Sequence, residues 1–162
     1  MSAITSLPSG VGGGALNLIS TQTASSSSTI SFTSGIDSTY KEYIFKFYDI
    51  HPSESNQTFQ FQASTNGGSS YGVTTTSTLF FAQHDEADSY AAVSYSTGGD
   101  LAQSTSFQRL IRITNDNDNN GGGTLHIFDP SNTTFVKHYL FNGACTNSNT
   151  YASNAFVAGY FN

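Results

Sequence analysis

Residues 40–51 read YKEYIFKFYDIH, the densest run of aromatic and β-branched residues in a chain that is rich in Ser, Thr, Asn and Gly. Successive side chains of a β-strand point to opposite faces of a sheet, so alternate positions in this run share a face. The next apolar segment, TFQFQAS at 58–64, shows the same alternation. We therefore predict one core face, lined by aromatic side chains of both segments. These side chains are Tyr43, Phe45, Phe47, Phe59 and Phe61.

The opposite face of residues 40–51 is also apolar. It carries Ile44, Tyr48 and Ile50, interrupted by Glu42 and Lys46. A central strand that is covered on both sides would explain this face, and so would a sheet face that contacts another subunit. We favour subunit contact, because exposed apolar patches usually mark interaction sites. Ile44, Tyr48 and Ile50 are thus the predicted interface residues.

Short alternating segments of this kind recur along the chain, separated by breaks rich in Gly, Asn, Asp, Ser and Pro. They occur at 15–20, 29–34, 40–51, 58–64, 78–83, 89–96, 107–114, 124–129, 135–141 and 156–161. No helical stripe of comparable length competes with them. Short strands at regular spacing, with turn signals between them, indicate an all-β fold. We predict an antiparallel β-sandwich of jelly-roll type.

Two regions are predicted along the 162 residues. Residues 1–14 are rich in Gly and Ser, which indicates a flexible N-terminal arm, and residues 15–162 have the length of a single β-sandwich domain. The arm contains no Lys or Arg and no continuous apolar stretch, so it does not resemble a signal peptide. No segment approaches the roughly 20 apolar residues of a transmembrane helix. We expect synthesis in the cytoplasm and no membrane partner.

The charge balance argues against nucleic acid as a partner. Only 10% of the residues are charged, and 5 Lys and Arg against 11 Asp and Glu give a formal net charge of -6. A chain of this composition has no positive field that would attract a phosphate backbone or an anionic bilayer. Its single cysteine, Cys145, has no second cysteine with which to form an internal disulfide or a zinc site.

Residues 116–121, DNDNNG, match the opening of a calcium-binding loop. Asp116, Asp118 and Asn120 place side-chain oxygens at alternate positions, and a Gly follows at the sharp turn. The twelfth position of such a loop should be a bidentate Glu, but here it is Ile127, inside a predicted strand. The alternative is a hairpin loop of residues that tolerate positive φ. Calcium at these three residues is the one cofactor considered; otherwise we predict none.

No catalytic residues are predicted. The stretch HDEAD at 84–88 combines an imidazole with three carboxylates, but no second histidine-bearing element shows ligand spacing to it. It directly follows a predicted strand, as a solvated loop does. Serines are too abundant to single one out, and no strand–turn–helix nucleophile elbow is predicted. An enzyme is therefore the least supported of the function classes considered.

Several tyrosines outside the densest apolar runs could stack on sugar rings, because an aromatic face with a polar tip suits carbohydrate. They are Tyr71, Tyr90, Tyr95 and Tyr151. The alternative is ordinary partial burial in a sandwich, which we favour.

Four segments in order carry a resemblance to a known family. They are LNLISTQTASSSSTISFTSGIDSTYKEYIFKFYDIHP at 16–52, FQFQASTNGGSSY at 59–71, GTLHIFDPSNTTFVKHY at 123–139 and FVAGYFN at 156–162. Together they resemble a family of structural proteins of tailed bacteriophages that infect marine bacteria. The resemblance implies a non-enzymatic virion component in the tail fibre or tail, or a capsid decoration. It supplies no catalytic or cofactor residues.

The resemblance also implies partners and a location. We expect a homo-oligomer, a trimer if the protein belongs to a fibre, together with other phage virion proteins. The expected location is the virion, after synthesis in the host cytoplasm. The alternative function is a carbohydrate-binding β-sandwich module that recognises a host surface glycan as receptor.

Family members continue past a strand like that at 156–161 into two further strands. Here Asn162 is the last residue. We expect either a C-terminally truncated domain or strands supplied by a neighbouring subunit, since an unpaired edge at 156–161 would invite aggregation.

Overall fold

The computed structural model describes residues 16–147 and 150–162. The chain divides into two compact units, residues 1–30 and 31–162. The described part of the first unit, residues 16–30, is exposed and contains no helix or strand. The predicted arm at 1–14, with its boundary, lies outside the described residues.

The strands predicted at 15–20 and 29–34 are absent from the described residues, so this part of the sequence prediction is wrong. Ser and Thr surround the few apolar positions here and offer the backbone local hydrogen bonds in place of a ladder. The Ser27 hydroxyl, for example, donates to the Ser25 carbonyl at 3.2 Å.

The second unit is all-β, and every strand pair in it is antiparallel. Its strands are β1 (Glu42–Ile50), β2 (Gln57–Phe61), β3 (Thr75–Asp85), β4 (Ala91–Tyr95), β5 (Gln108–Ile113), β6 (Gly121–Phe128), β7 (Lys137–Thr146) and β8 (Tyr151–Phe161). They form a six-stranded sheet in the order β1-β6-β7-β8-β3-β4 and a two-stranded sheet, β2-β5. The predicted antiparallel all-β class is confirmed, while jelly-roll connectivity stays a prediction.

The core includes side chains from one face of the six-stranded sheet and from the β2-β5 pair. Its buried members include Leu79, Leu110, Ile113, Leu125, Tyr139, Phe141 and Val157. The predicted aromatic core face is confirmed: Tyr43 is 4% exposed, and Phe45, Phe47, Phe59 and Phe61 pack against the buried cluster. The rings of Phe47 and Phe59 meet edge to face at 4.9 Å, which joins β1 to β2 across the core.

Strand β8 lies inside the six-stranded sheet. It pairs with β3 from Tyr151 to Phe161 and with β7 from Ala152 to Phe161. Residues 156–161 thus have a strand on both sides and present no unpaired edge, while a C-terminally truncated domain or strands from a neighbouring subunit stay predictions. The open edges of this sheet are β1 and β4.

Candidate interaction face

The face of the six-stranded sheet that points away from the core carries a group of exposed apolar side chains. We call it the outer-face patch; its members are Phe80, Val93, Tyr95, Leu140 and Phe156, which are 38–73% exposed. Strand register places Phe156 opposite Phe80, and Phe80 opposite Tyr95. Three aromatic side chains thus follow one row across β8, β3 and β4. The patch is continuous because cross-strand neighbours on one face lie about 5 Å apart.

Two rings of the patch are stacked on each other. The centroids of Phe80 and Phe156 are 4.9 Å apart, and their planes differ by only 10°. Each ring therefore covers one face of the other, and the shared face is closed to any ligand. Exposed ring edges of this kind suit contact with another apolar surface better than face stacking on a sugar.

The part of the sheet around the patch is nearly free of charge. Strands β4 and β8 contain no Asp, Glu, Lys or Arg; β7 has only Lys137, at its start, and β3 only Asp85, at its end. Charged side chains lie instead on β1. The carboxylate of Glu42 on this strand lies 2.7 Å from Nδ1 of His126 on β6. An apolar partner could cover the outer-face patch without desolvating a charge, which would be costly.

The structure separates the predicted interface residues. Ile44 is half-buried opposite His126, on the same outer face as the patch, and Tyr48 is 73% exposed. Ile50, in contrast, packs against the core. A register shift between Phe47 and Ile50, with Asp49 at φ 52°, reverses the side on which Ile50 lies. Placing Ile50 on the outer face is therefore wrong, and the interface role of Ile44 and Tyr48 stays a prediction.

Sequence reasoning missed the outer-face patch itself. Three of its residues lie in segments where neighbouring positions are both apolar: Phe80 beside Phe81, Leu140 beside Phe141, and Phe156 beside Val157. In such pairs alternation cannot tell which residue faces the core. The structure shows that Phe81 and Val157 face the core, so Phe80 and Phe156 face outward.

The predicted calcium ligands are placed in a hairpin loop between β5 and β6. The carboxylate of Asp116 accepts hydrogen bonds from the side chains of Thr114 and Asn119, both at 3.3 Å. The Asn120 amide donates instead to Asp49 at 3.1 Å, and Asp118 is exposed. Within residues 16–147 and 150–162 there is no group of three or more His, Cys, Asp or Glu arranged to hold a metal ion.

We expect calcium at millimolar concentration to shift the thermal unfolding midpoint by less than ~1 °C, because a ligand raises the midpoint only if the native state binds it. Differential scanning fluorimetry with calcium, and with magnesium for comparison, measures the shift. The Asp116→Asn variant is the matched control. A rise of several degrees that this variant abolishes would contradict the expectation and establish the site.

The carboxylates at 84–88 close the turn between β3 and β4. Asp85 accepts hydrogen bonds from the Ser89 hydroxyl and from the backbone N–H groups of Ser89 and Tyr90 at 2.8 and 2.9 Å. The Ser89 hydroxyl, followed by the Tyr90 N–H, holds the pKa of Asp85 below its ordinary value. His84 lies 3.2 Å from Asp88, and both side chains are exposed. The cluster is thus a solvent-exposed turn, in which the Asp85 carboxylate accepts hydrogen bonds from the backbone of the turn.

Two buried groups that could carry chemistry are held inert. Burial raises the pKa of Cys145 to about 11, and its thiol donates to the Arg112 carbonyl at 3.2 Å. Such a thiol is not a nucleophile at neutral pH, because the thiolate is the reactive form. Burial also raises the pKa of Tyr139, whose hydroxyl donates to the side-chain oxygen of Gln108 at 3.1 Å. Both groups serve the core.

Comparisons with known proteins give no family for this chain. It matches no family model, and searches of curated proteins and of solved structures return no significant match. No helix in the described parts of the chain is long and apolar enough to cross a membrane. Function must therefore be inferred from the residues of the chain itself.

Proposed function

We propose that the protein is a non-enzymatic structural component of a bacteriophage virion, in the tail fibre or tail or as a capsid decoration. It works by assembling with copies of itself through the outer face of the six-stranded sheet. The observation that supports assembly is the outer-face patch: a continuous apolar surface on a sheet already packed on its other side. The virion setting comes from the family resemblance of residues 16–162.

The size of the face agrees with a stable contact. At ~3.4 Å per residue and ~4.8 Å between strands, the six strands offer a face of roughly 900 Å². A standard protein–protein interface buries about 800 Å² on each partner. Soluble monomers rarely leave an apolar patch of several hundred Å² open to water, so a second protein surface is the natural cover.

A role in carrying mechanical load fits the construction of the core. Edge-to-face aromatic pairs join the two sheets, including Phe47 with Phe59 and Phe61 with Tyr139 at 5.2 Å. Strand β8 is hydrogen-bonded on both sides. Interiors packed in this way are stiff, because close-packed side chains transmit strain and do not absorb it.

Carbohydrate binding, the alternative, has less support in the geometry. Tyr90 meets Tyr151 edge to face at 5.4 Å, and the Tyr95 hydroxyl donates to Asp100 at 2.7 Å. Neither arrangement forms a flat platform of parallel, open rings on which a sugar would stack. We therefore favour assembly over glycan recognition as the work of this domain.

The double variant Leu140→Asp with Phe156→Asp should be folded and should have a lower mass in solution than the parent protein, because it loses the contact through the outer face. Two carboxylates in the middle of the patch would have to be buried unpaired on assembly, which is strongly unfavourable. Sedimentation and light scattering give the mass, and circular dichroism checks the fold. A second double variant, Ile44→Asp with Tyr48→Asp, tests whether the contact extends to β1.

Gln57→Asp with Gln60→Asp is the matched control, since both residues are exposed on β2 and the charge change is the same. A parent that is monomeric at high micromolar concentration would contradict assembly. So would retention of the parental mass by the patch variant. Immunogold labelling of virions tests the setting: label on tail or head supports it, and unlabelled particles refute it.

A further inference from the structure

One edge of the six-stranded sheet lacks the features that normally prevent strand addition. Strand β4 reads AAVSY, with no charge and no proline, and Val93 is 73% exposed. The other edge, β1, carries Glu42, Lys46 and the bulge at Asp49. Charged side chains and bulges usually protect edge strands from pairing with another chain. Strand β1 has this protection and β4 does not.

The direction of the backbone groups on β4 follows from its pairing with β3. The Tyr90 carbonyl accepts from the Asp85 N–H at 3.0 Å, and the Ser96 N–H donates to the Leu79 carbonyl at 2.9 Å. Residues of an antiparallel strand alternate in the side to which they hydrogen-bond, so even-numbered residues here bond to β3. The N–H and C=O groups of Ala91, Val93 and Tyr95 therefore point away from β3, where the described residues place no further strand.

We propose that β4 pairs with β4 of a second copy, antiparallel, about a two-fold axis at Val93. In this register Val93 meets Val93 of the second copy, and Ala91 meets Tyr95 in both directions. Each of these pairs exchanges two hydrogen bonds, so every outward backbone group of the strand finds a partner. The two sheets then become one continuous sheet with two-fold symmetry, which is the commonest symmetry of homo-oligomers.

A second copy suits this edge better than an unrelated chain because the strand is complementary to itself. All three of its outward residues are paired only in the register centred on Val93, and no like charges meet at the seam. The side chains of Val93 and Tyr95 lie at the rim of the outer-face patch, so pairing joins two patches into one larger surface. A Val–Val cross-strand pair also packs well. The inference rests on the proposed self-assembly but assigns a contact to the edge.

The Val93→Pro variant should weaken self-association roughly 100-fold. This is about 2.8 kcal/mol of association free energy, at about 1.4 kcal/mol for every factor of ten. Proline removes the outward N–H of residue 93 and none of the bonds to β3, so the fold is retained. Val93→Thr is the matched control, because it keeps both the N–H and the branched shape and should associate like the parent. Equal association of the proline variant and the parent would overturn the edge contact.

Charged variants test the two-fold axis itself. They also test the edge contact if the proline variant fails to fold. Val93→Lys alone and Val93→Glu alone should each lose the edge contact, because like charges meet at the two-fold axis. A mixture of the two should regain the dimer mass. Self-association of either variant alone at parental strength, or no recovery on mixing, would overturn the proposed register.

Amide hydrogen exchange separates the edge from the face. In the parent, the amides of Ala91, Val93 and Tyr95 should become protected as protein concentration rises. An assembled parent whose Val93 amide still exchanges fast would overturn the edge contact and leave face assembly standing. A mass in solution that is unchanged from the parent in Leu140→Asp with Phe156→Asp would overturn the face contact and leave the edge contact standing. A monomeric parent contradicts both, and a pure trimer contradicts the two-fold edge.

Discussion

Replacing Tyr139 with alanine should lower the free energy of unfolding by about 4 kcal/mol, the middle of the range for an aromatic core residue. Tyr139 is fully buried on β7, and its ring packs against Phe61 at 5.2 Å and Phe161 at 4.9 Å. Its hydroxyl donates to Gln108, which is also buried. The truncation thus opens a cavity between the two sheets and leaves a polar acceptor unpaired.

Urea unfolding followed by circular dichroism measures this loss. The Tyr139→Phe variant keeps the ring and removes only the hydroxyl, so it should cost about 1–3 kcal/mol for the unpaired Gln108 oxygen. The control Tyr48→Ala removes an equally large ring that is 73% exposed, and should change stability by less than about 0.5 kcal/mol. Equal effects of Tyr139→Ala and Tyr48→Ala would show that Tyr139 does not lie in the core.

Alanine at Gly143 or at Gly159 should each destabilise the protein by about 3 kcal/mol, the upper end for an overpacked core. A Cβ at Gly143 would overlap Cζ of the Phe141 ring and would lie 2.7 Å from its Cε1 and 2.8 Å from the Gly122 carbonyl oxygen. At Gly159 it would lie 2.5 Å from the Tyr139 ring and 2.8 Å from the Thr76 carbonyl oxygen. These aromatic rings occupy the space that the glycines leave, as in other sheets where an aromatic ring covers a glycine.

Gly98→Ala is the control, because a Cβ there would have no neighbour within 4 Å. It should leave the midpoint of urea unfolding unchanged. Phe141→Leu added to Gly143→Ala should restore part of the loss, since the smaller side chain removes the ring from the overlap. If Gly143→Ala and Gly98→Ala were equally harmless, the ring would not lie over Gly143.

How far the sequence predicted the structure depended on how clearly each segment alternates. In β1 and β2 large aromatic residues recur at every second position, so the core face of Phe45, Phe47 and Phe59 could be predicted from the sequence. In residues 16–34 the apolar positions are embedded in Ser and Thr, and the predicted strands do not form. Hydrogen bonds from hydroxyl side chains to the nearby backbone outweigh the weak hydrophobic alternation in these residues.

The side chains on the outer face could be predicted only in part, for a different reason. Ile44 and Tyr48 were placed on the outer face correctly, but the bulge at Asp49 turned Ile50 inward, and a single non-Gly residue at positive φ leaves little mark in a sequence. The openness of β4 depends on strand order, which no local pattern encodes. Only the pairing of β3 with β8, far apart in the chain, leaves β4 at the edge.

The interior position of β8 sets an order of events during synthesis. Strands β3 and β7 leave the ribosome before β8 and cannot be joined until residues 151–161 follow them. Strands that are this distant in sequence pair late, because closing the long loop costs entropy before the new contacts stabilise it. Strand β4 is bound to the sheet only through β3, so an incomplete chain cannot present a properly supported β4 edge. The proposed self-association through β4 would therefore require residues 151–161 to be synthesised and paired first.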